Sequence, residues 1–270
     1  MGRKAILNMT STKKRNTMLT ISNTLDTGAS APLAIRPAYI TSAGGKFLWC
    51  ATAMDLTDGS GNYASPAQAA VRTSTSCYMR GLSETLRIQT SSGIPWFHRR
   101  ICFTNKGVAP FIVRSTADTS SNVPATPYID SANGVQRLWL NQTVNGTPNT
   151  INDREGVIFK GANGLDWNDP IVAPVDTARV TVKFDKTWTY KSGNERGTVF
   201  EKKLWHPMNK TLVYDDDESG DRETTNYIST DSKAGMGDYY VLDIIQPGTG
   251  VAANDAVLIQ CTSTLYWHER

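Results

Sequence analysis

The sequence predicts an all-β protein, and three observations carry that expectation. Polar and apolar residues alternate with period two over several long stretches, the mark of strands that bury one face. Clusters of Gly, Pro, Asn and Ser separate those stretches. Helical periodicity is nearly absent. With 270 residues the chain has enough material for one full core, and it divides into a basic N-terminal arm over residues 1–25 and a single domain over residues 26–270.

The arm comes first. It holds Arg3, Lys4, Lys13, Lys14 and Arg15, and no acid precedes Asp26. Such a segment is drawn to polyphosphate by Coulomb attraction and counterion release without a folded recognition surface. Strands follow at Lys46 to Leu56, Cys77 to Gln89, Trp96 to Asn105, Arg179 to Asp185, Val199 to Tyr214 and Asp238 to Gln246. The clearest alternation has Val180, Val182 and Phe184 inward, with Arg179, Thr181 and Lys183 outward. The last strand, Val257 to Trp267, turns Val257, Ile259, Cys261, Leu265 and Trp267 to one face. Ser65-Pro66 before Ala67 to Val71 reads as a capped short helix, and residues 152–160 as another short helical turn. Together these elements suggest a single eight-stranded antiparallel jelly roll with one or two short helices and long end loops.

Charge is unevenly spread. Residues 1–110 carry 13 basic and 4 acidic side chains, whereas residues 111–270 carry 15 and 21, so the two portions present opposite potentials. One surface then suits nucleic acid and another suits copies of the same chain. No signal-peptide core follows Met1 and no apolar run reaches membrane-spanning length, so a soluble chain without a membrane partner is expected. Cys50, Cys77, Cys102 and Cys261 lie in apolar or alternating stretches without metal-ligand spacing, which predicts buried, unpaired thiols.

Signals for chemistry are sparse. The sequence has no nucleophile elbow, phosphate-binding loop, zinc-protease motif or dinucleotide fingerprint, so no catalytic residue, cofactor or metal is expected. His98, His206 and His268 each sit beside aromatic residues and read as packed side chains. Asp215 to Gly220 matches the first half of a calcium loop, but Asn226 stands where a bidentate carboxylate is needed. An exposed acidic loop is therefore the expectation. Arg99 and Arg100 are neighbours on one strand and face opposite ways, so at least one should reach solvent or a phosphate. Lys202 and Lys203 have the same geometry.

Four stretches carry a resemblance. Cys77 to Glu84 (CYMRGLSE), Trp96 to Phe103 (WFHRRICF), Gly156 to Trp167 (GVIFKGANGLDW) and Leu204 to Tyr214 (LWHPMNKTLVY) resemble the capsid proteins of genomoviruses, small circular single-stranded DNA viruses distantly related to geminiviruses. The resemblance runs from about residue 70 to the C-terminus. It implies a jelly-roll subunit of a closed icosahedral shell of about sixty copies, T=1, around a single-stranded DNA genome. It also implies residence in the virion and the host nucleus, with Lys13-Lys14-Arg15 as the matching cluster for the nuclear import machinery. The family arm is usually longer and richer in arginine. Candidate DNA contacts are Arg3, Lys4, Lys13, Lys14, Arg15, Arg99 and Arg100. The competing reading is a lectin-like carbohydrate-binding jelly roll, although most tryptophans here fall within strands, not in loops.

Overall fold

A computed structural model describes residues 9–119 and 124–269. Arg3 and Lys4 therefore lie outside the described residues. The chain is all-β, and its strands in order are β1 (Thr12–Thr24), β2 (Ser30–Ile35), β3 (Ala38–Ile40), β4 (Gly45–Cys50), β5 (Ser76–Thr90), β6 (Trp96–Asn105) and β7 (Ile129–Ser131). They continue with β8 (Gly134–Trp139), β9 (Thr181–Tyr190), β10 (Val199–Val213), β11 (Asp217–Ser219), β12 (Arg222–Thr224), β13 (Asp238–Pro247) and β14 (Val257–Glu269). The α-helix α1 (Pro148–Ile158) carries proline in its first turn, where a missing N–H costs nothing.

Two sheets face each other. The larger has the order β10-β5-β14-β1-β8-β7, with β2 added beside β1 and β3 beside β14; the smaller has the order β4-β13-β6-β9. All pairings within them are antiparallel except β1 with β8. β11 and β12 form a separate hairpin.

Alternation explains which faces meet. On β5, Met79, Leu82, Leu86 and Ile88 are buried, and on β14 Ile259, Cys261, Leu265 and Trp267 are buried beside them. They pack against Trp49, Cys102, Val241 and Ile245 from the smaller sheet. Each such side chain contributes about 1.5–3 kcal/mol relative to exposure. The smaller sheet is covered on its other face too, by Phe111, Ile158, Phe159 and Trp167 against Ile101, Phe103, Tyr240 and Leu242. Strand β13 is consequently buried over eight consecutive residues from Asp238. That two-sided burial is why it reads as a mainly apolar run, Tyr239 to Ile245 interrupted by Asp243, instead of an alternating one.

Several expectations need correction. The arm was expected to extend to residue 25, yet Thr12–Thr24 is an interior strand of the larger sheet, held antiparallel to β14 from Thr12 opposite Glu269 to Leu19 opposite Thr262. Lys14, Met18 and Thr20 point inward while Lys13, Arg15, Thr17 and Leu19 point outward, so the basic cluster conceals a period-two pattern. No helix forms after Ser65-Pro66, where the chain makes turns. The segment is tied to β1 instead: Ala69 O accepts from the Arg15 N–H (2.9 Å) and Val71 O from Lys14 Nζ (2.9 Å). The strand expected to reach Leu56 ends at Cys50, and β2, β3, β7, β8, β11 and β12 had no counterpart in the sequence reading. All four cysteines are buried thiols, and burial pushes Cys102 and Cys261 up to about 12.

Candidate nucleic-acid interface

The cations singled out in the sequence separate into buried and exposed groups. Lys14 is 3% exposed; its ammonium lies 3.1 Å from the Glu269 carboxylate and donates to Thr73 Oγ1 at 2.8 Å. Arg99 is buried, donating to both Asp185 oxygens (2.9 and 2.7 Å) and to the carbonyls of Pro170 and Ala173. Arg100 is fully buried between Glu84 and Asp243. The expectation that Arg99 or Arg100 reaches solvent is thus overturned. The smaller sheet is covered on both faces, so neither side of β6 is open.

Arg100 belongs to a closed ionic cluster that the sequence did not disclose. Asp243 Oδ1 accepts from Arg100 Nε at 2.7 Å and contacts His98 Nε2 at 2.6 Å, while Asp243 Oδ2 accepts from Arg137 at 3.0 Å. Glu84 Oε1 accepts from Arg137 Nε (3.0 Å) and Ser263 Oγ (2.8 Å). Burial alone would push the Glu84 carboxyl up, but the Arg100 and Arg137 cations outweigh it and hold it down at about 2. Burial lowers His98, and it lowers His206 to about 4 with help from the Arg100 charge. The two carboxylates and two guanidinium groups balance, and they join β5 and β8 of one sheet to β6 and β13 of the other.

A different surface presents free cations. On the outer face of β10-β5-β14-β1, cross-strand register lines up five rows: Thr211, Tyr78, His268 and Lys13; Pro207, Gly81, Tyr266 and Arg15; Trp205, Ser83, Thr264 and Thr17; Lys203, Thr85, Thr262 and Leu19; and Glu201, Arg87 and Gln260. Successive rows are two residues apart along β14 and β1, with bulges in β5 and β10 between the first two rows, so the face extends about 27 Å. Lys13, Arg15, Arg87 and Lys203 are exposed on it, and Glu201 is the sole carboxylate in those rows. Arg80 is exposed nearby, donating to Asn209 Oδ1 at 2.8 Å with its guanidinium 6.0 Å from the Tyr78 ring.

Aromatic rings interleave with these charges. Trp205 is 51% exposed, with its ring centroid 5.9 Å from that of Tyr266. Its indole lies across the sheet over Gly81, where a Cβ would sit 2.7 Å from Trp205 Cζ2 and 2.6 Å from the His206 carbonyl oxygen. Glycine at this position therefore lets the ring lie on the sheet. His268 is lowered by burial and then by the Arg80 and Lys13 charges, a sign of the positive potential at this end. Cations that track phosphates, set among ring faces on which bases stack, form the arrangement that single-stranded nucleic acid requires.

Of the sequence candidates, Lys13 and Arg15 lie on this face, while Lys14, Arg99 and Arg100 do not. Tyr78, Arg80, Arg87, Lys203, Trp205 and Tyr266 were missed as a group. Their signal is the outward half of each alternation, but strand register alone brings residues from four distant segments together. No family model matches the chain, and no curated protein matches it.

Proposed function

We propose that this chain is a viral capsid protein that assembles into a closed shell and packages single-stranded DNA. The observation that carries the reading is the acid-poor outer face of β10-β5-β14-β1, where cations and exposed rings alternate. Phosphate contacts made this way carry no base information, which suits a coat that must hold an entire genome.

The strand order supports the jelly-roll part of the proposal. If β1, β4, β5, β6, β9, β10, β13 and β14 are taken as eight principal strands, the first pairs with the last, the second with the seventh, the third with the sixth and the fourth with the fifth. That is one long antiparallel hairpin rolled into two facing sheets, and the remaining short strands are additions at loops and edges. The sequence resemblance to genomovirus capsids points the same way and brings with it residence in virion and host nucleus. Many weak DNA contacts tethered to one shell raise the local concentration of positive charge, so assembled particles retain DNA that a free subunit releases.

Negative-stain imaging of the purified protein, with nuclease-protected DNA measured in the same fractions, tests this function. Closed isometric particles containing DNA are expected. Sedimentation as monomer or dimer alone across salt and pH would overturn it.

A further inference from the structure

Strands β9 and β10 are the last strands of their respective sheets, so one flank of the sandwich is bounded by two strand edges. Lysines gather there. Lys202 Nζ lies 5.3 Å from the Trp188 ring centroid and 5.6 Å from that of Tyr190, and Lys186 Nζ lies 5.9 Å from the same Trp188 ring. Two ammonium groups thus share one indole. Lys183 and Lys210 form a second couple on the same two strands: burial and then the Lys210 charge lower Lys183, just as burial and then Lys186 lower Lys202. None of the four forms an ion pair among the described residues. Like charges held together without a counter-charge cost free energy that an anionic partner would recover.

The same chain carries an element of opposite sign. The β11–β12 hairpin exposes Asp217, Glu218, Asp221 and Glu223 against one base, Arg222. A two-stranded hairpin is marginal by itself, and this one is fastened at its base. Arg72 donates to both oxygens of Asp216 (2.5 and 2.9 Å), and the Tyr63 hydroxyl donates to the Glu223 carbonyl. It therefore stands as a preformed acidic projection. No hairpin carboxylate pairs with any of the four lysines within one copy.

We propose that the lysine-lined β9–β10 flank of one copy receives the acidic β11–β12 hairpin of a second copy. This rests on the self-assembly reading above. Run head-to-tail, this contact propagates around rings, as a closed shell requires. Charge complementarity fixes register and rejects wrong pairings, and salt weakens the contact.

Charge reversal on the full-length protein provides the test, read by sedimentation velocity at about 0.1 M salt, where surface charges still act over about 10 Å. K186E/K202E and D217K/E218K are each expected to remain dissociated under conditions where the wild type assembles, and the fourfold combination to assemble again. Circular dichroism and melting confirm folding. Should a reversed variant misfold, K186Q/K202Q supplies the reading, with an expected rise of about tenfold in the protein concentration needed for assembly, equivalent to about 1.4 kcal/mol. Wild-type-like assembly of either reversed pair or of the glutamine variant, or failure of the folded fourfold variant to assemble, overturns the contact alone. So does a lysine variant that forms normal shells lacking DNA, which would assign the flank to nucleic acid. A wild type that never associates overturns the capsid proposal and this contact together.

Discussion

Arg100 on β6 and Glu84 on β5 form an ion pair between the two sheets with both side chains completely buried. The pair is sealed from bulk solvent, yet it is not isolated: Asp243 and Arg137 close the cluster with three further ion-pair contacts. Desolvation makes such a cluster a weak source of net stability compared with apolar packing, but removing one member leaves an uncompensated buried charge. Arg100→Met is accordingly expected to destabilise the subunit by about 3–5 kcal/mol. Urea unfolding measures this, and a loss below about 1 kcal/mol would contradict it.

Acid should weaken the same region. Glu84 is depressed from 4.5 to about 2 in the folded chain, so its contribution is present above pH 4.5 and disappears as pH falls towards 2. His206 is depressed from 6.5 to about 4; the unfolded chain takes up its proton first, and stability falls as pH drops through that window. Asp238 is raised from 3.8 to about 6 by burial and opposes this trend between those values. His206→Phe isolates the histidine's part: the wild type should lose more stability than the variant between pH 6.5 and pH 4. Parallel stability curves for the two proteins would refute the assignment.

The three adjacent cations of β1 are expected to behave differently. Lys14→Met strands Glu269 inside the protein and should cost about 3 kcal/mol. Lys13→Ala with Arg15→Ala should leave the melting temperature nearly unchanged. That double variant should instead make the slope of log affinity for single-stranded DNA against log salt shallower by about 1.4, from roughly 0.7 per phosphate contact. An unchanged slope would remove these two residues from the interface.

Trp205 offers a separate readout. Trp205→Ala should weaken binding to unrelated single-stranded sequences by about 1–3 kcal/mol each, because every base has a ring face to stack. Salt dependence should stay as in the wild type, since no charge is lost. Arg87→Ala with Lys203→Ala should do the reverse, reducing the salt slope. Binding isotherms at three salt concentrations separate the two outcomes, and equal effects of both variants on slope would count against a stacking role.

Alternation was legible on several strands with one wet face, but not on β1 or across the bulge of β9, where Phe184 packs between the sheets and Val182 on the other face. Val257 to Trp267 has the inward set its spacing predicted, and β5, β6, β10 and β13 fall within a residue or so of their expected limits. The burial of all four cysteines followed from the same pattern. β1 escaped notice because a lysine occupies one of its inward positions, and only its pairing with Glu269, 255 residues later, makes that burial tolerable.

Local order, in short, is written in local spacing, whereas the fate of each charge is not. Lys14 and Lys13 are adjacent and chemically alike, and strand polarity alone sends one into the protein and the other to its surface. Arg99 and Arg100 read as candidate phosphate contacts until the neighbouring strands β9 and β13 supply Asp185 and Asp243 and the opposite sheet supplies Glu84. The sequence by itself determined the all-β class and the course of β5, β6, β10, β13 and β14, because these depend on local hydrophobic patterning. The tertiary structure decided which cations are neutralised and which line up with Tyr78, Trp205 and Tyr266, because a counter-charge or a cross-strand neighbour comes from residues far away in the chain.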